Sequence, residues 1–337
     1  MEKYRNRFDA ICLGELLIDL VSIKSGVSLE DAPSFVKAAG GAPANVAVGL
    51  ARLGVSAAFI GKVGNDAFGR FLAKTLKNNE VDTTNLLFDH SNKTKLAFVS
   101  LTEDGERDFE FYGEQSADTQ LRVSDINQSV IKEAKIFHFG SISLISNPSR
   151  EATLEAARMA RDGGVPVSFD PNLRLSLWKN PEEAKARITE GLKLANIVKM
   201  NAEELKFITD KADIESGARI LLQKGVKLVS VSLGRNGCYF ASNKATGTVG
   251  GFDVEALDTT GAGDGFVAGM LAGILKTNYY KLDEKDLHDI FRFANTVGAL
   301  TTTKRGGIPA LPYKEEVEKF LAKGTKAFTR SNRFSEF

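Results

Sequence analysis

Short apolar runs alternate with segments of helical spacing along most of this chain, and that alternation restricts the fold more than any other feature. Ala57–Ile60, Lys135–Phe139, Val165–Phe169, Asn196–Met200 and Leu228–Ser232 have the length and composition of buried strands. Pro148–Arg161, Pro181–Leu194, Ala202–Ile208 and Ile214–Gln223 place apolar residues three and four apart, as an amphipathic helix requires. Strand and helix in turn predict βαβ units and an α/β fold, its mostly parallel sheet covered on both faces. Right-handed crossovers then bring the C-terminal ends of the strands, and a site between them, to one edge.

Two segments break the rhythm. Leu16–Ile23 and Lys95–Tyr112 alternate with period two, the second around a turn at Glu103–Glu106. They are expected to form a small β lid, inserted at about residues 15–37 and 94–116; the alternative is an antiparallel extension of the main sheet. No Pro/Ser-rich linker divides the 337 residues, which predicts one domain over 1–337. Residues 323–337 read as a polar, basic tail, loosely attached.

Charge and composition exclude several classes. Forty-four Lys and Arg balance forty-three Asp and Glu, a net charge of +1, which argues against a nucleic-acid binder. No apolar run reaches the roughly eighteen residues of a bilayer span. Near the N-terminus Glu15 and Asp19 fall where a secretory signal would stay apolar. The two cysteines, Cys12 and Cys238, lie far apart, with no CxxC and no adjoining histidines. Disulfide frameworks and zinc sites are therefore not expected, and a cytoplasmic setting is. Of the three histidines, His138 lies in an apolar strand and is expected to be a core residue.

The most informative stretch is Asp258-Thr-Thr-Gly-Ala-Gly-Asp264-Gly-Phe-Val. Phe266, Val267, Met270, Leu271, Ile274 and Leu275 share one helical face, so a buried helix begins near Gly261. Gly261, Ala262 and Gly263 would leave its first N–H groups accessible, an anion site suited to a phosphoryl group in transfer. Asp264 falls in the first turn, where the helix dipole favours an ionised carboxylate able to accept a hydroxyl proton. The competing reading is an Asp that merely caps the helix. No GxxxxGK[ST], GxGxxG after the first strand, HRD or DFG is present, which excludes P-loop and protein-kinase chemistry.

A second stretch, Ala39-Gly40-Gly41-Ala42-Pro43-Ala44-Asn45, is a Gly-Gly turn feeding a helix of small residues. The glycines would admit hydroxyls close to the main chain, and Asn45 offers both donor and acceptor. Asp19, in an apolar run, needs a partner that two hydroxyls of a polyol would supply. A helix-cap role for Asn45 and a salt bridge for Asp19 are the alternatives.

With these residues in view, the chain resembles the ribokinase-like (PfkB) carbohydrate kinases and is most similar to the fructokinases among them. GGAPANVAVGLARLG, GKVGNDAFG, DGERDFEFYGEQSAD, IFHFGSISLIS, FDPNLRLSLW, VKMNAEEL, VSLGRNGCYF and DTTGAGDGFVAG carry the resemblance, from about Gly14 to Pro312. It implies a three-layer α/β/α domain with a β lid, acting with ATP and Mg²⁺ on a sugar. It implies Asp264 as base, the amides of Gly261, Ala262 and Gly263 as anion hole, and Asp19, Gly40, Gly41 and Asn45 around the sugar. Asn201 and Glu204 match the family's N-x-x-E, the Asn facing the nucleotide phosphates and the Glu organising Mg²⁺ through water. Ser232, Gly234 and Gly237 would line the ATP site, with Asn295 near the adenine. Asp258 and Thr260, with carbonyls of the Lys304–Ala310 loop, match a monovalent-cation position suited to K⁺. Arg107 in the lid and Arg174 in Asp170-Pro-Asn-Leu-Arg174 are candidates for sugar or phosphate contacts, or else form surface ion pairs.

The resemblance thus implies transfer of the ATP γ-phosphate to the 6-hydroxyl of D-fructose, in a homodimer paired through the lid. Gly113-Glu114-Gln115 stands where fructokinases often carry Arg-Asn-Pro, which keeps ribose, 2-keto-3-deoxygluconate and ribosides open as acceptors. A non-catalytic sugar- or nucleotide-binding regulator is the reading from another class; an intact Asp264 and Gly261–Gly263 oppose it.

Overall fold

The computed structural model describes residues 8–24, 26–101, 107–112, 115–277 and 279–323. The Glu103–Glu106 turn, Gly113, Glu114 and the tail from Gly324 onward lie outside the described residues. Among the described residues thirteen strands run in chain order: β1 (Phe8–Leu13), β2 (Leu17–Ser22), β3 (Phe35–Gly40), β4 (Ala57–Gly64), β5 (Leu86–Asp89), β6 (Leu96–Leu101), β7 (Arg107–Tyr112), β8 (Ala134–Gly140), β9 (Val167–Asp170), β10 (Ile197–Asn201), β11 (Leu228–Ser232), β12 (Cys238–Ser242) and β13 (Thr246–Val249).

Nine of them form one sheet in the order β13-β12-β11-β10-β9-β8-β1-β4-β5. Every pairing from β11 to β5 is parallel; β12 and β13 are an antiparallel edge ribbon. In the interior strand β1, Ala10 and Cys12 point into one core and Ile11 and Leu13 into the other. That period-two alternation, apolar on both sides, is why the strand is sandwiched between helices. One face is covered by α1 (Ala42–Arg52) and α2 (Ala67–Asn78), while α3 (Gln128–Lys132), α4 (Ser149–Asp162), α5 (Pro181–Leu192), α6 (Ala202–Thr209) and α7 (Ile214–Gln223) cover the other. The chain then returns to the first face with α8 (Ala262–Lys276), α9 (Glu284–Thr301) and α10 (Lys314–Ala322). This is the three-layer α/β/α architecture expected. His138 is buried as foreseen, its Nδ1 3.1 Å from the Ser168 hydroxyl. Burial, then the nearby Lys199 charge, pushes its pKa down to about 3, so it stays neutral.

The two period-two segments form a separate sheet, ordered β3-β2-β6-β7, and do not extend the main one. Its β2–β6 pairing is parallel and the others antiparallel. Phe98 holds it together, meeting Phe35 and Tyr112 edge-on, each at 5.1 Å between ring centroids. The sheet's roots converge on a buried Lys95–Asp118 ion pair, 2.8 Å apart.

Candidate active site

The site grows from the start of α8. Gly261 precedes the helix at φ +76, a left-handed conformation open to glycine, and no side chain caps the end. The first closing bond is from the Gly265 N–H to the Gly261 carbonyl, 2.7 Å, so the amides of Gly263 and Asp264 lie ahead of it. Ala262 differs: its N–H donates to the Thr259 carbonyl at 3.2 Å.

Asp264 is buried, 6% exposed, and supported by two amides. Asn45 Nδ2 donates to its Oδ2 at 2.7 Å, and Asn172 Nδ2 approaches Oδ1 at 3.4 Å. Burial pushes its pKa up to about 6; the Asn45 bond opposes this, Asp170 adds to it, and Lys199 and Arg174 oppose it. Burial is the largest of these influences, and the sequence, which predicts an ionised carboxylate at the helix start, gave no sign of it. The carboxylate is still mostly ionised at neutral pH, and it is more basic than an ordinary aspartate.

Asp19 and Gly40 meet because β2 and β3 pair antiparallel, with the Asp19 carboxylate packed against the Cα of Gly40. Gly41 follows at φ +109 and admits α1, whose first N–H, on Ala42, donates to buried Glu15 Oε1 at 2.9 Å. Asn45, one turn on, delivers its amide to Asp264. The turn and the base are therefore connected by a continuous path of contacts.

On the other side, Asn201 and Ser232 are register partners at the C-terminal ends of β10 and β11. Asn201 caps α6, its side chain accepting from the Glu204 N–H, while Glu204 Oε2 accepts from the Asn201 N–H at 2.8 Å. Glu204 Oε1 accepts from the Leu173 N–H at 2.7 Å. Each Glu204 oxygen thus rests on a backbone amide and the residue is 5% exposed, an arrangement compatible with organising a cation through water. Gly234 and Gly237 have φ of +58 and +95 in the turn after β11. Asn295 Nδ2 donates to the carbonyls of Val249 and Gly250, at 3.0 and 3.1 Å, so it shapes the nearby loop. Asp258 accepts from the Thr260 N–H and hydroxyl at 2.8 and 2.6 Å, and from the Gly306 N–H at 2.8 Å. The Gly306–Gly307 loop thereby rests on both Gly261 and Asn45.

Arg174 is half-buried, its guanidinium carbon 5.5 Å from the centroid of Phe109 in the lid. Arg107 opens β7, and its side chain lies outside the described residues. Sequence reasoning missed Asn172, at φ +42 within the Asp170–Arg174 stretch, and the buried pair Lys199–Asp170, 3.0 Å apart. A lysine inside the apolar strand Ile197-Val-Lys-Met200 was the available signal. Among the described residues no group of three or more His, Cys, Asp or Glu could hold a metal, and no helix is long and apolar enough to cross a membrane.

The model of the pfkB family carbohydrate kinases matches residues 7–314. A curated relative, probable fructokinase-4 of Arabidopsis thaliana, is 49% identical over 313 residues, covering 92% of this chain and 96% of its own. The fructokinase of Xylella fastidiosa with bound ATP superposes with a TM-score of 0.86 at 36% identity, covering 94% of this chain and 99% of that one. A double mutant of the fructokinase of Vibrio cholerae O395, with fructose, ADP and a potassium ion, gives 0.84 at 38% identity over 93% and 97%.

Proposed function

Because this chain belongs to the pfkB family of carbohydrate kinases, we propose that it is an ATP-dependent fructokinase, phosphorylating the 6-hydroxyl of D-fructose. The observation that carries this reading is Asp264, held by Asn45 and Asn172 at the uncapped start of α8. A carboxylate base beside free amides is what phosphoryl transfer to an alcohol needs.

In this reading Asp19, Gly40, Gly41 and Asn45 orient the sugar, with Arg107 and Arg174 reaching it or the phosphates. Asn201, Ser232, Gly234 and Gly237 line the nucleotide site, and Asn295 supports its wall. Asp264 accepts the hydroxyl proton as the sugar oxygen bonds to the γ-phosphorus. The bond from that phosphorus to the bridging oxygen breaks, and its electron pair leaves with ADP. In this reading the N–H groups of the Gly261–Gly263 turn face the charge that develops on the phosphoryl oxygens, with that of Ala262 committed to the Thr259 carbonyl. Glu204 would hold a Mg²⁺ through water, and that ion would supply charge neutralisation on the phosphates. A K⁺ beside Asp258 and Thr260 would strengthen the positive end of the cradle, since their oxygen donors suit a hard cation. The lid excludes water that would otherwise hydrolyse ATP. Ile23, Val36 and Tyr112, all on the lid sheet or its edge, are more than half exposed and offer a second copy an apolar face. Both cysteines are buried free thiols, which fits a reducing compartment such as the cytoplasm.

ADP release across a sugar panel, with NMR of the product, tests the reading. Fructose 6-phosphate as the preferred product supports it. A tenfold preference for ribose, 2-keto-3-deoxygluconate or a riboside rejects fructose, and no turnover with any sugar rejects the kinase.

A further inference from the structure

Three carboxylates, Asp170, Glu204 and Asp264, lie between 3% and 6% exposed beside one buried ammonium, that of Lys199. Lys199 occupies a position that β10 elsewhere gives to apolar side chains. Val198 and Met200 enter the core beneath α3–α7, whereas Ile197 enters the core beneath α8 and Lys199, next but one along the strand, faces the same way. A buried ion pair contributes little net stability compared with apolar packing, so its presence asks for another reason.

The geometry supplies one. Lys199 Nζ donates to Asp170 Oδ2 at 3.0 Å. The other oxygen of Asp170 accepts from the Asn172 N–H at 3.1 Å, and Asn172, in its left-handed conformation, extends its amide to Asp264. The same ammonium lies under the anion cradle, where a methyl group on Gly263 would come within 3.0 Å of it. It therefore touches both the support of the base and the floor of the amide turn.

We propose that Lys199 is a positioning residue for phosphoryl transfer, holding Asp170 and, through Asn172, orienting the Asp264 carboxylate beside the Gly261–Gly263 amides. The inference rests on the kinase reading above. Lys199 itself remains charged: burial disfavours its ammonium, but Asp170, Glu204 and Asp264 outweigh that and raise its pKa. The groups facing Asp264 are Asn45 from α1, Asp170 from the end of β9, Asn172 and Arg174 from the loop after it, and Lys199 from β10. Removing the Lys199 charge leaves Asp170 uncompensated and favours protonated Asp264.

The test is the pH dependence of kcat/KM for whichever sugar the panel accepts, in Lys199→Met, Lys199→Arg and Asp170→Asn. In K199M the acid limb moves up by about one pH unit, so the loss is about fivefold greater at pH 6 than at pH 9. The KM for ATP stays within about threefold, as expected when uniform binding is unaffected. K199R keeps the wild-type limb, and D170N, lacking the like charge, moves it to lower pH. An unmoved limb in K199M with a tenfold higher KM for ATP makes Lys199 a phosphate ligand and overturns the proposal. An unmoved limb with only a lower Tm reduces the residue to packing and also overturns it. If K199M does not fold, D170N decides: an unmoved or upward limb contradicts the proposal. A ¹³C-carboxyl NMR titration of Asp264, assigned by its loss in D264N, reads the same shift without turnover. It thereby separates failure of this inference from failure of the kinase reading.

Discussion

Asn45 and Asp264, 219 positions apart, are joined by a 2.7 Å hydrogen bond that ties α1 to α8. The donor belongs to the turn that begins with Gly40 and Gly41, and the acceptor is the proposed base. One amide thus serves the orientation of the base and borders the sugar subsite. Its Oδ1 is buried without a hydrogen-bond partner among the described residues, which leaves an acceptor for a substrate hydroxyl.

Replacing Asn45 by Ala removes a donor to a buried carboxylate, an interaction of about 1.5–3 kcal/mol. kcat/KM for the sugar should fall by about 10–100-fold, and the acid limb should move to higher pH. Steady-state kinetics between pH 5 and 9 check both outcomes. A loss confined to the KM for the sugar, with an unmoved limb, would mean that the bond to Asp264 does not matter.

Gly40 packs against the Asp19 carboxylate, and any side chain there meets it. Gly40→Ala should displace Asp19 and raise the KM for the sugar by about tenfold or more, while the KM for ATP stays within a factor of about two. Equal effects on both substrates would place the damage in the fold and remove Asp19 from the sugar site.

Glu15 tests the electrostatics apart from catalysis. Burial pushes its pKa up to about 7; the Glu15 and Ala42 N–H groups and Lys95 oppose this, and Asp118 adds to it. Oε2 has no hydrogen-bond partner among the described residues. The folded value lies above the unfolded one, so the associated stability is complete below about pH 4.5 and lost as pH rises through about 7. Glu15→Gln keeps an acceptor for the Ala42 N–H and removes the charge. The variant should be more stable than wild type at pH 8, by up to about 3 kcal/mol, and no more stable at pH 4. Denaturant unfolding at the two pH values measures this, and equal differences at both would contradict the buried charge.

Much of the scaffold was legible because its signals are local. The period-two alternation of β2 and β6–β7 and the helical spacing of α4–α7 are fixed by neighbours in sequence, and these elements appear close to where they were expected. The edge strand β13, Thr246–Val249, is short, half-exposed and weakly apolar, so it lacked such a signal. The start of α8 was legible for the same local reason: three small residues and an Asp precede an apolar helix. The raised pKa of Asp264 was not. It depends on burial and on Asp170, Lys199 and Arg174, which distant strands and loops bring to it. Asn172 was hidden because its contribution comes from a positive φ and a turn built on Asp170 and Glu204.

The central claim is that Asp264 takes the proton from the attacking hydroxyl. Its most direct test is the single-turnover rate of phosphoryl transfer in Asp264→Asn, measured beside the Kd for ATP. Loss of a general base and of its charge predicts a fall of about 10³-fold or more, with the Kd for ATP within about threefold of wild type. A variant that still transfers phosphate at a tenth of the wild-type rate would contradict it.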